Sequence, residues 1–441
     1  MRSLPETLLC KSLSRLVRRG TLCMALPSGE RVCFGDGSQP KVAIRLADQR
    51  SVLGLMTDPD LQLGELFMDG RLIVEEGTIF DFLQVVLQDA KETRPSLTVQ
   101  ALDRVRFALR RFAQRNGLTR ARTNVAHHYN LNADLYSLFL DPDWQYSCAY
   151  FEDEQTDLAQ AQLAKKRHIA AKLLIEPQHR ILDIGCGWGG LACYLADIAG
   201  AEHVTGITLS EEQLGLAQKR ADVRGLSDRV SFELMDYRAA KGQFDKIVSV
   251  GMFEHVGIDF YDTFFGTCRK LIKDDGVMLL HFIGNSDVPD FTNPWIERYI
   301  FPGGHIPSLS EVMPSIERSG LVVTDIEILR LHYARTLRAW RERFMARREE
   351  ALRIYDERFC RMWEFYLAFS EAAFRFQDIA IFQIQLAPRQ ENVPLTRDYI
   401  ARIEAALRER ECADTVVPAE MGARDQAALL RSNALTHERS P

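Results

Sequence analysis

The pattern of apolar and polar positions separates the chain into three stretches. In the first, residues 1 to about 120, short β-like runs at Thr21–Leu26, Arg31–Phe34 and Lys41–Leu46 are divided by turn signals such as Gly35-Asp36-Gly37. A helical stretch follows around Ile79–Lys91, then an arginine-rich helix near Leu102–Asn116. This predicts a small mixed α/β domain ending in a basic linker helix. From about 121 to 387 apolar runs alternate with amphipathic segments, the signature of a parallel sheet with covering helices. Strands are predicted at His179–Ile184, His203–Thr208, Val230–Leu234, Phe244–Val250, Val277–Ile283, Leu321–Leu329 and Ile379–Leu386, with helices at Gly190–Ala199, Glu211–Arg224, Phe260–Ile272 and Ser310–Arg318. Seven strands so spaced predict an α/β fold built on a doubly wound, Rossmann-like sheet. The last two are separated by roughly 50 residues, too many for a plain connection. That insertion is helical and aromatic, holding Trp340, Phe344, Phe359, Trp363, Tyr366 and Phe369. Residues 388–441 read as one short helix (Arg397–Arg408) and a polar tail expected to be disordered.

Composition changes this picture little, but charge adds to it. The net charge of −6 gives no support for a nucleic-acid partner, which calls for a basic excess. Two local clusters depart from the average. One holds Arg2, Lys11, Arg15, Arg18 and Arg19; the other holds Arg104, Arg106, Arg110, Arg111, Arg115, Arg120 and Arg122. Each suits an anionic membrane surface and equally a solvated helix face. The nine cysteines are scattered, odd in number and without a CxxC pair, which predicts a reduced, cytosolic protein without a disulfide or zinc framework. No apolar run approaches the ~20 residues that cross a bilayer, and no signal-peptide core opens the sequence. Contact with lipid is therefore expected from the cytosolic side, peripherally.

The chemistry concentrates where the first of the seven strands turns into a helix, at Ile181-Leu-Asp-Ile-Gly-Cys-Gly-Trp-Gly-Gly190. Glycine suits a tight turn that a ligand must approach closely. Such a loop alone is weak evidence, because dehydrogenases use it too. Two details favour an adenosyl-sulfonium ligand: Asp183 precedes Gly185-x-Gly187-x-Gly189, and the second strand ends Gly206-Ile-Thr-Leu-Ser210 without an acid to grip a dinucleotide ribose. Ser210 and Gln213 form a candidate capping box that could also line the pocket with Thr208. Asp236-Tyr-Arg238 could hold an adenine or be a surface turn.

Longer motifs carry a resemblance. Gln145-Tyr-Ser-Cys-Ala-Tyr-Phe151, Leu182 to Gly190, Ile247-Val-Ser-Val-Gly-Met-Phe-Glu-His-Val-Gly257 and Tyr299-Ile-Phe-Pro-Gly-Gly304 closely resemble the cyclopropane-fatty-acyl-phospholipid synthases and mycolic acid cyclopropane synthases. His128-Tyr-Asn-Leu131 and the stretch from Tyr333 to Phe344 extend the likeness over about 121–387. It implies an S-adenosylmethionine-dependent methyltransferase domain there, with helical acyl-binding insertions. Residues 1–120 would be a lipid- or membrane-associated or dimerisation domain, with a homodimer left open.

The implied reaction adds the sulfonium methyl to a cis alkene of a phospholipid acyl chain; a proton is then lost from the new methyl as a three-membered ring closes. An alkene is a poor nucleophile, so positioning must supply much of the rate. The cation must be shielded from water, and a base must reach the methyl. By resemblance that base is a bound bicarbonate, and the matching positions are Cys148, Glu254, His281, Ile283 and Tyr333. The ligand pocket maps to Tyr146, Ser147, Asp183, Gly185, Gly187, Gly189, Thr208, Gln213, Tyr237 and Arg238, and no metal is implied. Each residue alone has a plainer reading: His281 as a satisfied core histidine, Cys148 as a small buried filler, Glu254 as a polar strand end. The aromatic insertion could be core or the wall of an acyl tunnel, and the resemblance favours the tunnel. One position departs: Ser370 stands where many family members carry a cysteine. A sister activity yielding a methyl- or methylene-branched chain, and a catalytically silent lipid-binding homologue, are the competing readings.

Overall fold

The computed structural model describes residues 2–93, 96–113 and 133–414. The motif at 128–131, the arginines at 115, 120 and 122, the side chain of Arg111 and the polar tail beyond 414 lie outside the described residues. The chain divides into two compact units.

The first unit comprises Met1–Arg115, Gly284–Leu309 and Tyr333–Ala380. Its four strands, β1 (Thr21–Ala25), β2 (Arg31–Gly35), β3 (Lys41–Leu46) and β4 (Leu72–Glu76), form a sheet in the order β2-β1-β3-β4. Leu22, Met24, Val42, Ile44 and Leu46 alternate toward the buried face, as the period of a half-buried sheet requires. The sequence reading omitted β4, whose five residues end in two acids, and the helices Leu4–Leu16, Gln49–Thr57 and Pro59–Met68. It also missed a covalent link. Antiparallel pairing places Cys23 opposite Cys33, and the two form a disulfide, against the expectation of a wholly reduced chain. The cause is register, since the two cysteines sit at equal distances from the hairpin turn.

The long helix Glu357–Phe376 of the insertion packs on Pro59–Met68 and Ile79–Leu87. Trp295 is fully buried against Gly64, where a Cβ would lie 2.3 Å from its Nε1. Trp340, Phe344 and Trp363 are likewise fully buried; Tyr355, Phe359 and Trp363 stack in sequence, and Tyr366 lies tilted against Trp363. Most of the aromatic stripe is therefore core of this unit.

The second unit comprises Asn116–Ile283, Ser310–His332 and Ile381–Pro441, and holds the large sheet. All seven expected strands form: β5 (Arg180–Ile184), β6 (His203–Thr208), β7 (Val230–Leu234), β8 (Phe244–Val250), β9 (Ile272–Asn285), β10 (Val322–Leu329) and β11 (Ile379–Ala387), in the order β10-β11-β9-β8-β5-β6-β7. β5 pairs in parallel with both β6 and β8, so the order reverses at β5, and a crevice opens at the carboxyl ends of its neighbours. Ile181, Leu195, Val204, Val248 and Leu279 belong to the core beneath it.

One further helix, Leu158–Leu173, escaped the sequence reading. Thirteen of its sixteen residues are buried, and they include Lys165, Lys166, Arg167, His168 and Lys172. With charge on the inward side, no apolar stripe announces it.

Candidate active site

The crevice is built on the loop after β5. Gly185, Gly187 and Gly189 have φ of +83°, +55° and +78°, a region that favours glycine. Their reasons for lacking a side chain differ. A Cβ on Gly185 would meet Met252 at 2.7 Å, and one on Gly189 would meet Phe232 at 2.5 Å, whereas Gly187 has nothing within 4 Å. The first and third glycines allow packing, and the second faces open space in the crevice. The N–H groups of Gly185 and Cys186 both donate to the Ile207 carbonyl, at 2.9 and 3.0 Å, tying the loop to the end of β6.

Tyr146, Ser147, Asp183, Gly185, Gly187, Thr208, Gln213, Tyr237 and Arg238 all line this one crevice, while Gly189 lies behind it. At the end of β6 the Ser210 side chain accepts from the Gln213 N–H, as a cap should, but the box is not reciprocal. The Thr208 hydroxyl donates to Gln213 Oε1 at 2.9 Å instead, turning that side chain toward the crevice. After β7, the Asp236 carboxylate accepts two hydrogen bonds of 2.7 Å from the Arg238 guanidinium, which lies over the rings of Tyr237 and Phe260.

The sequence reading missed the opposite wall. Trp144, Gln145, Lys165, Met252 and His255 also line the crevice. Lys165 Nζ donates to Gln145 Oε1 at 2.6 Å and to the Ser147 hydroxyl at 2.8 Å. Burial lowers its pKa to about 8. Gln162 donates to the Gln145 and Ser147 carbonyls, so the omitted helix fixes the 145–147 segment. Asp183 is buried, its Oδ2 has no partner among the described residues, and burial raises its carboxyl to about 7 against the pull of Lys165.

Four of the five expected base-site residues belong to this unit. Glu254 sits in a short 3-10 turn, Phe253–His255, between residues that line the crevice. Its Oε1 accepts from the Ile283 N–H at 2.6 Å; its Oε2 is buried without a partner among the described residues. Burial raises the carboxyl to about 7. His281 is paired in register with Val250 at the end of β8, and its carbonyl accepts from the Gly251 N–H at 2.9 Å. Its Nδ1 faces Gln383 Nε2 at 3.2 Å, while Nε2 is buried and unpartnered among the described residues. Burial lowers its pKa to about 3 and keeps the ring neutral. The structure thus joins Glu254 to Ile283, two residues along β9 from His281, and the Glu254 and His281 side chains each keep one buried polar atom without a partner among the described residues. Cys148 is fully buried one residue beyond Ser147, and its thiol points to the Ala149 carbonyl. Tyr333 belongs to the first unit, buried edge-on to Trp340 and beside Phe374.

A doubly wound seven-stranded sheet with this glycine loop, and a crevice at its switch point, defines an S-adenosylmethionine-dependent methyltransferase. The family of mycolic acid cyclopropane synthetases matches residues 116–384, and the chain belongs to that family. It is 40% identical over 357 residues to the cyclopropane-fatty-acyl-phospholipid synthase of Escherichia coli (strain K12), across 81% of this chain and 90% of that protein. It is also 40% identical over 276 residues to the tuberculostearic acid methyltransferase UfaA1 of Mycobacterium tuberculosis (strain ATCC 25618 / H37Rv), across 60% and 64%. Among solved structures, the cyclopropane synthase MmaA2 from Mycobacterium tuberculosis matches with a TM-score of 0.57 at 34% identity, over 60% of this chain and 98% of that one.

Proposed function

We propose that the enzyme transfers the methyl of S-adenosylmethionine to the cis double bond of an unsaturated phospholipid acyl chain, forming a cyclopropane ring with bicarbonate as base. The observation that carries this reading is the pair of buried, unspent atoms on Glu254 and His281 beside the crevice. An unpaired buried polar atom costs free energy, on the order of 1–3 kcal/mol, so each of the two argues for a polar partner beside it. A small oxyanion fits. Glu254, kept largely protonated below about pH 7, and a neutral His281 can each donate to it, and neither opposes its charge. When bound, bicarbonate would supply the base that takes the proton from the new methyl. Glu254 and His281 would hold it through side chains, with Cys148 and Ile283 contributing mainly through backbone; for Tyr333, of the first unit, a side-chain role rests on the family resemblance alone. The cofactor would lie along Tyr146, Ser147, Asp183, the open face of Gly187, Thr208, Gln213, Tyr237 and Arg238. S-adenosylmethionine supplies an activated methyl, and these residues orient it.

The acyl chain is assigned to the helical insertion, where Phe359 and Phe369 remain half-buried. Among the described residues no helix is long and apolar enough to cross a membrane. We assign access to lipid to a membrane surface on the cytosolic side, met by the helix Leu97–Ala113. It exposes Leu97, Val105 and Leu109 beside Arg104.

A second reading, a branched rather than cyclic product, is favoured by the 40% identity to UfaA1, which is named for methyl transfer. Mass analysis of the fatty acids of an expressing host separates the two. A ring gains one CH₂ and takes up no hydrogen under mild hydrogenation. A methylene branch gains one CH₂ and does take it up; a saturated methyl branch is heavier by two further hydrogens. An unchanged fatty-acid profile would overturn both.

A further inference from the structure

Behind His281 a chain of buried side chains runs through the second unit. Lys172, at the end of the helix Leu158–Leu173, donates from Nζ to Gln383 Oε1 at 2.8 Å. Gln383, on β11, presents its Nε2 to His281 Nδ1 at 3.2 Å. Lys172 also donates to the Glu327 carboxylate, which meets His168 Nε2 at 2.7 Å, and His168 Nδ1 meets Glu404 at 2.6 Å. Lys172 and Gln383 are 0% exposed, and His281 is 1% exposed. Nothing in the reaction as outlined uses Lys172 or Gln383.

Donor and acceptor rules fix the direction of this chain. An ammonium only donates, so the amide oxygen of Gln383 must face Lys172. Its NH₂ then faces His281, and Nδ1 must be the bare nitrogen. A neutral imidazole has one N–H, which is left on Nε2, the atom that is buried without a protein partner. We propose that Lys172 and Gln383 are positioning residues that lock His281 in the Nε2–H form, so that it donates a hydrogen bond to the anion at the base site. This rests on the base-site reading above.

Two further features fit. Burial, with the charges of Lys165, Lys172 and His168 behind it, keeps His281 from taking a second proton. Burial also lowers the Lys172 pKa, and the charge of Glu327 beside it works against that loss. Without the chain the ring could carry its proton on either nitrogen, and the wrong choice turns a donor into a lone pair facing an anion. The effect expected is on turnover, with cofactor affinity untouched, because neither residue lines the crevice.

The test uses the full chain with ¹⁵N-labelled histidine, reading the ring nitrogens by long-range proton–nitrogen correlation; His281→Asn identifies the signal. The wild type should show Nε2–H. Gln383→Glu places an acceptor opposite Nδ1 and should move the proton there, with kcat down about tenfold or more and the KM for S-adenosylmethionine unchanged. Lys172→Met should mix the two forms, and Lys172→Arg should restore one form and most of the rate. A wild-type ring protonated on Nδ1 overturns the proposal, even if the variants fold poorly. So does a Gln383→Glu enzyme whose tautomer switches without loss of kcat, while His281→Asn is severely impaired. Should His281→Asn itself turn over normally, the base-site reading fails instead, and the wild-type spectrum still judges the chain.

Discussion

Gly187 differs from its two companions in what surrounds it. Gly185 and Gly189 press against Met252 and Phe232, so a side chain at either disrupts the protein itself. At Gly187 an added Cβ meets no protein atom within 4 Å, and the φ of +55° adds backbone strain. Gly187→Val should therefore leave a folded enzyme that no longer binds S-adenosylmethionine, measured by calorimetry beside a thermal melt; wild-type affinity would remove the loop from the site. Ser370 is half-buried, and a sulfonium already carries its leaving group, so Ser370→Ala should keep most of the activity in a product assay. Glu254 gives a prediction about pH. Its folded pKa of about 7 lies above the 4.5 of an ordinary glutamate, so the folded chain holds this proton more tightly. That contribution is complete below about pH 4.5 and is lost as pH rises toward 7. Glu254→Gln keeps an acceptor for the Ile283 N–H but carries no charge. Urea titrations should find the variant more stable than wild type at pH 8, by about 2–3 kcal/mol, and equal at pH 4. Equal stability at both values would mean that the buried carboxylate is compensated.

At the scale of elements, legibility followed the period of the apolar residues. Val277–Ile283 of β9 was readable because a buried parallel strand is a nearly continuous apolar run, whereas the last two strands of the sheet, β10 and β11, pair antiparallel and depart from the all-parallel sheet expected. The helix Leu158–Leu173 was not, because its buried face carries lysines, an arginine and a histidine whose partners (Gln145, Asp143, Glu411, Glu327) are distant in sequence. The crevice wall that this helix supports was lost with it. The basic segment shows the same limit. Charge alone grouped Arg106 with its neighbours, yet its guanidinium is paired with Asp58 at 2.7 and 3.0 Å and half-buried. Arg110 lies 3.5 Å over the ring of Phe107. Reversing Arg106 should therefore destabilise the first unit rather than report on lipid. Among the described side chains of this helix, the most exposed apolar ones are Leu97, Val105 and Leu109. Replacing all three by aspartate should leave the melting temperature within a degree or two and weaken binding to anionic vesicles in a sedimentation assay. Unchanged vesicle binding would assign membrane contact elsewhere.

For the whole molecule, the sequence suggested an N-terminal domain followed by a catalytic one, but the first unit is assembled from three separated segments. Its late helices pack on the early ones. Glu357–Phe376 packs on Pro59–Met68 and Ile79–Leu87, Phe365 meets Phe67 with ring centroids 6.1 Å apart, and Trp295 donates from Nε1 to Met68 Sδ at 3.2 Å. A fragment beginning at residue 116 would expose Trp295, Phe365 and their neighbours to water. Each large side chain uncovered costs about 1.5–3 kcal/mol, and several together exceed a large share of a domain's usual margin. The expected outcome is a fragment that aggregates, or binds an apolar dye, although every residue lining the cofactor crevice lies within it. A point variant separates loss of packing from loss of sequence. At Gly64 a Cβ would lie 2.3 Å from the Trp295 indole, so Gly64→Leu in the full chain overpacks this contact and should cost about 1–3 kcal/mol in a denaturant titration. A soluble, cooperatively folded 116–441 fragment with full cofactor affinity, together with a Gly64→Leu chain as stable as wild type, would show that the late segments stand without the early ones.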